Sequence, residues 1–149
     1  MQSSSNVVIA RCRFAVPSPT ESDSAVGVDS LRPGVPHDYL LPIGEHFAPE
    51  REVIYYDQLG CGRSDRPPDV DDFYSVEGSV REFEEVMSAM GVDVAAAHVL
   101  GQSWGGVLAF EIIATRAVRG EPGPLSLVLS NAPGSIPIVD REAGRLIAA

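Results

Sequence analysis

The sequence predicts an α/β fold, a mostly parallel sheet with flanking helices. Three observations carry this reading. Short apolar strand candidates recur at 53–56, 94–100 and 125–130. Helical patterns alternate with them at the spacing of strand–helix–strand units. One strand–helix junction holds a serine, Ser103, with glycines two residues to either side.

Composition sets the frame. A chain of 149 residues suits one domain with its own core. Hydrophobic residues at 44% and charged residues at 21% are ordinary for a globular protein. A formal charge of −10 argues against binding a nucleic-acid backbone. All 11 basic residues are arginines, so lysine-dependent P-loop phosphate binding and Schiff-base chemistry are excluded. Cys12 and Cys61 form no CxxC pair and no disulfide framework, and are expected to be free thiols. Met1 to Asn6 is polar without a charged n-region, and no apolar run approaches the ~20 residues of a membrane span. The expectation is a soluble cytoplasmic protein with no metal or organic cofactor.

In chain order, 7–16 is apolar with Arg11 and Arg13 interleaved, a possible short strand. The stretch from Pro17 to Ser24 has loop composition. Residues 1–32 are therefore expected to be partly disordered, or to dock without completing the sheet, and 33–149 to form the domain. Between Pro33 and Pro49 a short helix is expected, broken near Pro42 and Gly44. The strand at 53–56 is ended by Asp57 and the Gly60/Gly62 turn. Ser75 can cap a helix reaching Met90, with Val76, Val80, Phe83, Val86, Met87 and Met90 three or four apart on its inner face. Gly91 suits the position just past its end. The strand at 94–100 is interrupted by His98, and the helix at 105–118 has almost no polar face, so Phe110 is expected to be buried. After Asn131 come a loop and a weak helix.

The strongest chemical signal is Gly101-Gln102-Ser103-Trp104-Gly105-Gly106, a G-x-S-x-G pattern between an apolar strand and a buried helix. A turn that tight holds the serine in a strained conformation with positive φ. Side chains two residues either side would clash, which explains Gly101 and Gly105. The turn lifts the Ser103 hydroxyl clear of the sheet as a nucleophile. It also aims the Trp104 amide and the helix N-terminus at any oxyanion that forms.

These residues resemble the elbow of proline iminopeptidases and related peptidases and amidases of the α/β-hydrolase superfamily. Tyr56 to Ser64 resembles the D-Q-x-G-x-G-x-S loop that precedes it in those enzymes, and Pro36-His37-Asp38-Tyr39-Leu40 the segment after their oxyanion loop. Leu127 to Asn131 resembles the strand after the elbow helix. The resemblance runs from about Pro33 to Ala149. It implies hydrolysis of N-terminal prolyl or other aminoacyl peptide or amide bonds through an acyl-serine. Asp57, Arg63 and Ser64 are read as structural, and Cys61 as a filler. The Gly60-x-Gly62 pair lacks the third glycine of a dinucleotide fingerprint.

Two departures temper that expectation. Where the family carries H-G-G-P-G, this sequence has Ser30-Leu31-Arg32-Pro33-Gly34, so Leu31 and Arg32 replace the small residues that let one oxyanion donor face the substrate, and no apolar strand is evident before it. Triads of this superfamily run serine, acid, histidine, yet His37, His46 and His98 all precede Ser103. His98 is expected to be structural and His37 to face the surface or rim. Glu111, Glu121, Asp140 and Glu142 fall too early for the triad acid. The sequence therefore predicts an incomplete α/β-hydrolase fold, with cap and C-terminal half absent, inactive as given. The alternative is a non-catalytic binding protein that keeps the elbow without the triad.

Overall fold

The computed structural model describes residues 9–12, 24–28, 36–47, 52–66 and 75–147. Of the loop expected from Pro17 to Ser24, residues 17–23 lie outside the described residues, as does the altered segment at 30–34, while Ser24 is the first residue of a strand. Five strands form one sheet: β1 (Ile9–Cys12), β2 (Ser24–Val28), β3 (Glu52–Tyr56), β4 (Ala97–Gln102) and β5 (Ser126–Ser130). Their spatial order is β1-β3-β2-β4-β5. All neighbours are parallel except β1, which pairs antiparallel with β3 in the register Ile9↔Tyr56.

Two expectations for the N-terminal segment are corrected here. A strand does precede the altered loop, and the segment completes the sheet from within, because β2 lies between β3 and β4. Ser24-Ala25-Val26-Gly27-Val28 holds a glycine, an alanine and a serine, so its intrinsic strand preference is weak. It is held instead by a ladder on each side, with Val26 opposite both Ile54 and Val99.

Layering follows from side-chain alternation along β3. Ile54 and Tyr56 enter the main core with Val80, Phe83, Val86 and Met87 of α2 (Val76–Ala89) and Leu108, Ala109 and Ile112 of α3 (Trp104–Val118). Val53 and Tyr55 point the other way and pack with Leu40. Leu40 ends a 3-10 turn (His37–Leu40) that runs into α1 (Leu41–Phe47). The helix therefore continues through Pro42 and Gly44 rather than breaking there. Pro42 sits in the first turn, where its missing N–H has no helical partner to lose.

The cap of α2 is as the sequence implies: Ser75 Oγ accepts from the Gly78 N–H at 2.9 Å. Glu82, buried on that helix, accepts from the Leu59 N–H at 2.7 Å and ties the loop after β3 to α2. β4 starts later than expected, because Val94–Ala96 form a 3-10 turn capped by the Asp93 carboxylate. After β5 the chain forms α4 (Ile136–Ile147).

The burial expected for α3 is corrected. Gly105, Gly106, Leu108, Ala109 and Ile112 make one buried stripe against the sheet and α2. Phe110 lies off that stripe and is 59% exposed. An all-apolar helix needs neighbours on every side, and among the described residues α3 has them on one side only.

Candidate functional site

Ser103 joins β4 to α3 at φ 54° and ψ −118°, a backbone region that side-chain-bearing residues rarely adopt. Two main-chain hydrogen bonds hold it there. Its N–H donates to the Ser130 carbonyl at the end of β5, at 2.9 Å, and its carbonyl accepts from the Gly106 N–H at 3.0 Å. The turn closes so tightly that a Cβ on Gly101 would overlap the Gly105 carbonyl and lie 2.7 Å from the Gly106 Cα. A Cβ on Gly106 would overlap the Ala132 side chain. The sequence pattern points to Gly101 and Gly105. The need for Gly106 comes from the loop after β5, which no local pattern reveals.

Trp104 begins α3, so its N–H is among the first-turn donors without an intrahelical acceptor. Its indole Nε1 is buried with no hydrogen-bond partner among the described residues. Beside the turn, the Tyr39 hydroxyl donates to Gln102 Oε1 at 2.7 Å. This contact straps the 3-10 turn to the residue before Ser103. Sequence reading missed it, because 63 residues separate the partners.

The histidines fall into three different places. His98 Nδ1 lies 2.7 Å from Ser126 Oγ across the β4–β5 ladder. His46 is exposed on α1. His37, expected at the surface or rim, is 4% exposed. Its main-chain N–H and its Nδ1 both meet Asp57 Oδ1, at 2.9 and 2.8 Å, and its ring stacks on Tyr55 with centroids 5.9 Å apart. The sequence shows no partner for it, and a buried carboxylate 20 residues on turns it inward.

Asp57 is a junction of the fold. Oδ2 accepts from the Arg63 N–H at 3.1 Å, and the Asp57 carbonyl accepts from Ser64 Oγ at 2.6 Å. Burial by itself would push the carboxyl up. The His37 main-chain N–H, the His37 ring and the Arg63 N–H outweigh it and hold Asp57 below the ordinary aspartate value. Cys61 is a buried free thiol in the same turn. Among the described residues, no group of three or more His, Cys, Asp or Glu side chains could hold a metal, and no helix is long and apolar enough to cross a membrane.

The geometry matches known proteins. Residues 32–138 match the family model of the alpha/beta hydrolase fold. The chain is 39% identical over 100 residues, 66% of its length, to a proline iminopeptidase of Chitinophaga pinensis, covering 32% of that protein. It is 38% identical over 117 residues, 77% of its length, to a proline iminopeptidase of Lactobacillus delbrueckii subsp. lactis, covering 38% of that protein. The crystal structure of a proline iminopeptidase of Mycobacterium smegmatis superposes with a TM-score of 0.72 at 33% identity, over 97% of this chain and 49% of that one. The chain thus spans about half the length of that structure and the smaller part of the relatives' sequences.

Proposed function

We propose, since the chain belongs to the α/β-hydrolase fold family, that Ser103 is the nucleophile of a serine hydrolase acting on N-terminal prolyl or other aminoacyl peptide and amide bonds. The observation that carries this is the positive φ of Ser103 at the β4–α3 junction. The resemblance to proline iminopeptidases supports the substrate class. Ser103 Oγ attacks the carbonyl carbon while a base takes the hydroxyl proton. The Trp104 N–H donates to the oxyanion, and the positive end of α3 favours the same charge. The amine departs with a proton, leaving an acyl-serine that water hydrolyses.

The base is the open position. No histidine follows Ser103 in these 149 residues, whereas the triads of this fold place acid and histidine after the serine. Residues 1–149 by themselves are therefore expected to hydrolyse prolyl anilides hardly at all. A second reading, a binding protein that keeps the elbow without a triad, draws on His37, which is committed to Asp57 inside the fold. The test joins residues 1–138 to the second half of the Mycobacterium smegmatis enzyme and assays prolyl anilide hydrolysis beside Ser103→Ala. Turnover that disappears in the Ser103→Ala chimera is expected. A folded chimera without turnover would favour the binding reading. Robust Ser103-dependent turnover by residues 1–149 alone would show that a base lies among them.

A further inference from the structure

The 3-10 turn His37–Leu40 is tied down at both ends and in the middle. At one end the His37 N–H and Nδ1 meet Asp57 Oδ1 at 2.9 and 2.8 Å. At the other the Tyr55 hydroxyl donates to the Leu40 carbonyl at 3.3 Å. These contacts are buried, and their partners lie on β3 or just past its end. The middle contact differs in direction and setting. The Tyr39 hydroxyl reaches to the end of β4 and donates to Gln102 Oε1 at 2.7 Å. Tyr39 is 42% exposed. Holding a tyrosine and a glutamine in one geometry at an exposed place costs rotamer freedom and returns little stability.

Its place gives the contact a use. Gln102 is the residue before Ser103. Val99 enters the core with α2 and α3, so by alternation Gln102 leaves the opposite face of the sheet. The main-chain bonds on Ser103 come from β5 and from α3. Tyr39 holds the elbow from the face where those two elements do not reach. The turn also follows directly on the loop between β2 and α1, the loop that in this fold supplies the second oxyanion N–H. The Tyr39–Gln102 bond thus joins the segment behind one donor to the strand residue that leads to the other, the Trp104 N–H.

We infer that Tyr39 is a positioning residue for the reaction at Ser103: through Gln102 it fixes where the Ser103 hydroxyl and the Trp104 N–H stand relative to the loop ahead of His37. In this role it touches no reacting atom and moves no proton. The inference rests on the hydrolase reading of Ser103. A carbonyl oxygen calls fully on both donors only as it becomes an oxyanion, so losing the strap lowers kcat and spares KM.

The experiment uses the chimera of residues 1–138 with the second half of the Mycobacterium smegmatis enzyme, as parent, Tyr39→Phe, Gln102→Ala and both together, assayed for prolyl anilide hydrolysis. Tyr39→Phe should lower kcat about tenfold with KM within about twofold, a misplacement loss short of the roughly 10²–10³ of a missing donor. Gln102→Ala should match it, and the double variant should lose no more than either, because both act through one contact. Equal kcat in parent and Tyr39→Phe, a change in KM alone, or additive losses would overturn the inference and leave the hydrolase reading standing. A folded parent chimera without turnover removes that reading, and this role of Tyr39 with it. If the chimera does not fold, residues 1–149 decide. Exchange of the Trp104 amide should then quicken alike in Tyr39→Phe, Gln102→Ala and the double variant. An unchanged Trp104 amide in Tyr39→Phe overturns the inference.

Discussion

Replacing Asp57 with asparagine keeps the shape of the side chain and removes its charge. The carboxylate is 1% exposed and receives three donors: the His37 N–H, the His37 ring and the Arg63 N–H. An asparagine oxygen placed at Oδ1 keeps the His37 contacts as neutral bonds of roughly half the strength. Its amide nitrogen then faces the Arg63 N–H, donor against donor. Hydrogen bonds to a charged group are worth about 1.5–3 kcal/mol and neutral ones about 1. One bond lost and two weakened give a cost of about 2.5–7 kcal/mol at neutral pH. The pH dependence has a defined sign. Asp57 is held below its ordinary value, so its stabilisation is present above the unfolded-state pKa and is lost as pH falls through the folded one. Urea melts of the two proteins at neutral pH and at successively lower pH, below the usual carboxylate range, should therefore converge. Equal stability at neutral pH, or a gap that persists undiminished in acid, would refute the argument.

The other predictions follow from burial and strain. Phe83→Ala empties a position that is 0% exposed and should cost about 3–5 kcal/mol, whereas Phe110→Ala should cost under about 1, both read from denaturant midpoints. Equal losses at the two sites would mean that α3 has neighbours on its outer side. Ser103→Gly relieves a positive φ worth about 1–3 kcal/mol and adds about 0.5–1 of backbone entropy, so the variant should melt at or above the parent temperature. Gly101→Ala drives a methyl into the Gly105 carbonyl and should destabilise by more than Ser103→Ala in the same melt.

What was legible in the sequence was whatever repeats locally. The period of α2, its Ser75 cap and the Gly101–Ser103–Gly105 spacing each lie within one element and its flanks. β2 was not legible, because a strand of serine, alanine, glycine and two valines takes its stability from the ladders on either side. His37 was misplaced for a related reason. Its burial depends on a carboxylate 20 residues away, in a turn whose glycines suggest surface. Phe110 shows the opposite failure, an apolar pattern that reports what a helix could bury and not which neighbours it has.

The strained serine is held from several directions at once, and the supports differ in kind. From the sheet, the Ser130 carbonyl fixes the Ser103 N–H. From the helix, Gly106 binds the Ser103 carbonyl while packing too closely on Ala132 to carry a side chain. From the opposite layer, Tyr39 grips Gln102. Tyr39 is itself placed by the 3-10 turn that His37 starts, and His37 is anchored by Asp57 at the end of β3. Asp57 therefore acts on the elbow only at a distance, through His37, Tyr39 and Gln102. Tyr39→Phe cuts that route at an exposed hydroxyl and leaves the buried pair intact. It should lower the melting temperature little, because a surface hydrogen bond contributes about 0.5–1.5 kcal/mol at most. It should nonetheless speed amide exchange at residues 102–104, where the elbow loses its support from the opposite layer. Asp57→Asn should speed exchange at 102–104 and at 37–40 together. If Tyr39→Phe leaves exchange at 102–104 unchanged while Asp57→Asn raises it, the support runs through the sheet, and the Tyr39–Gln102 strap is incidental.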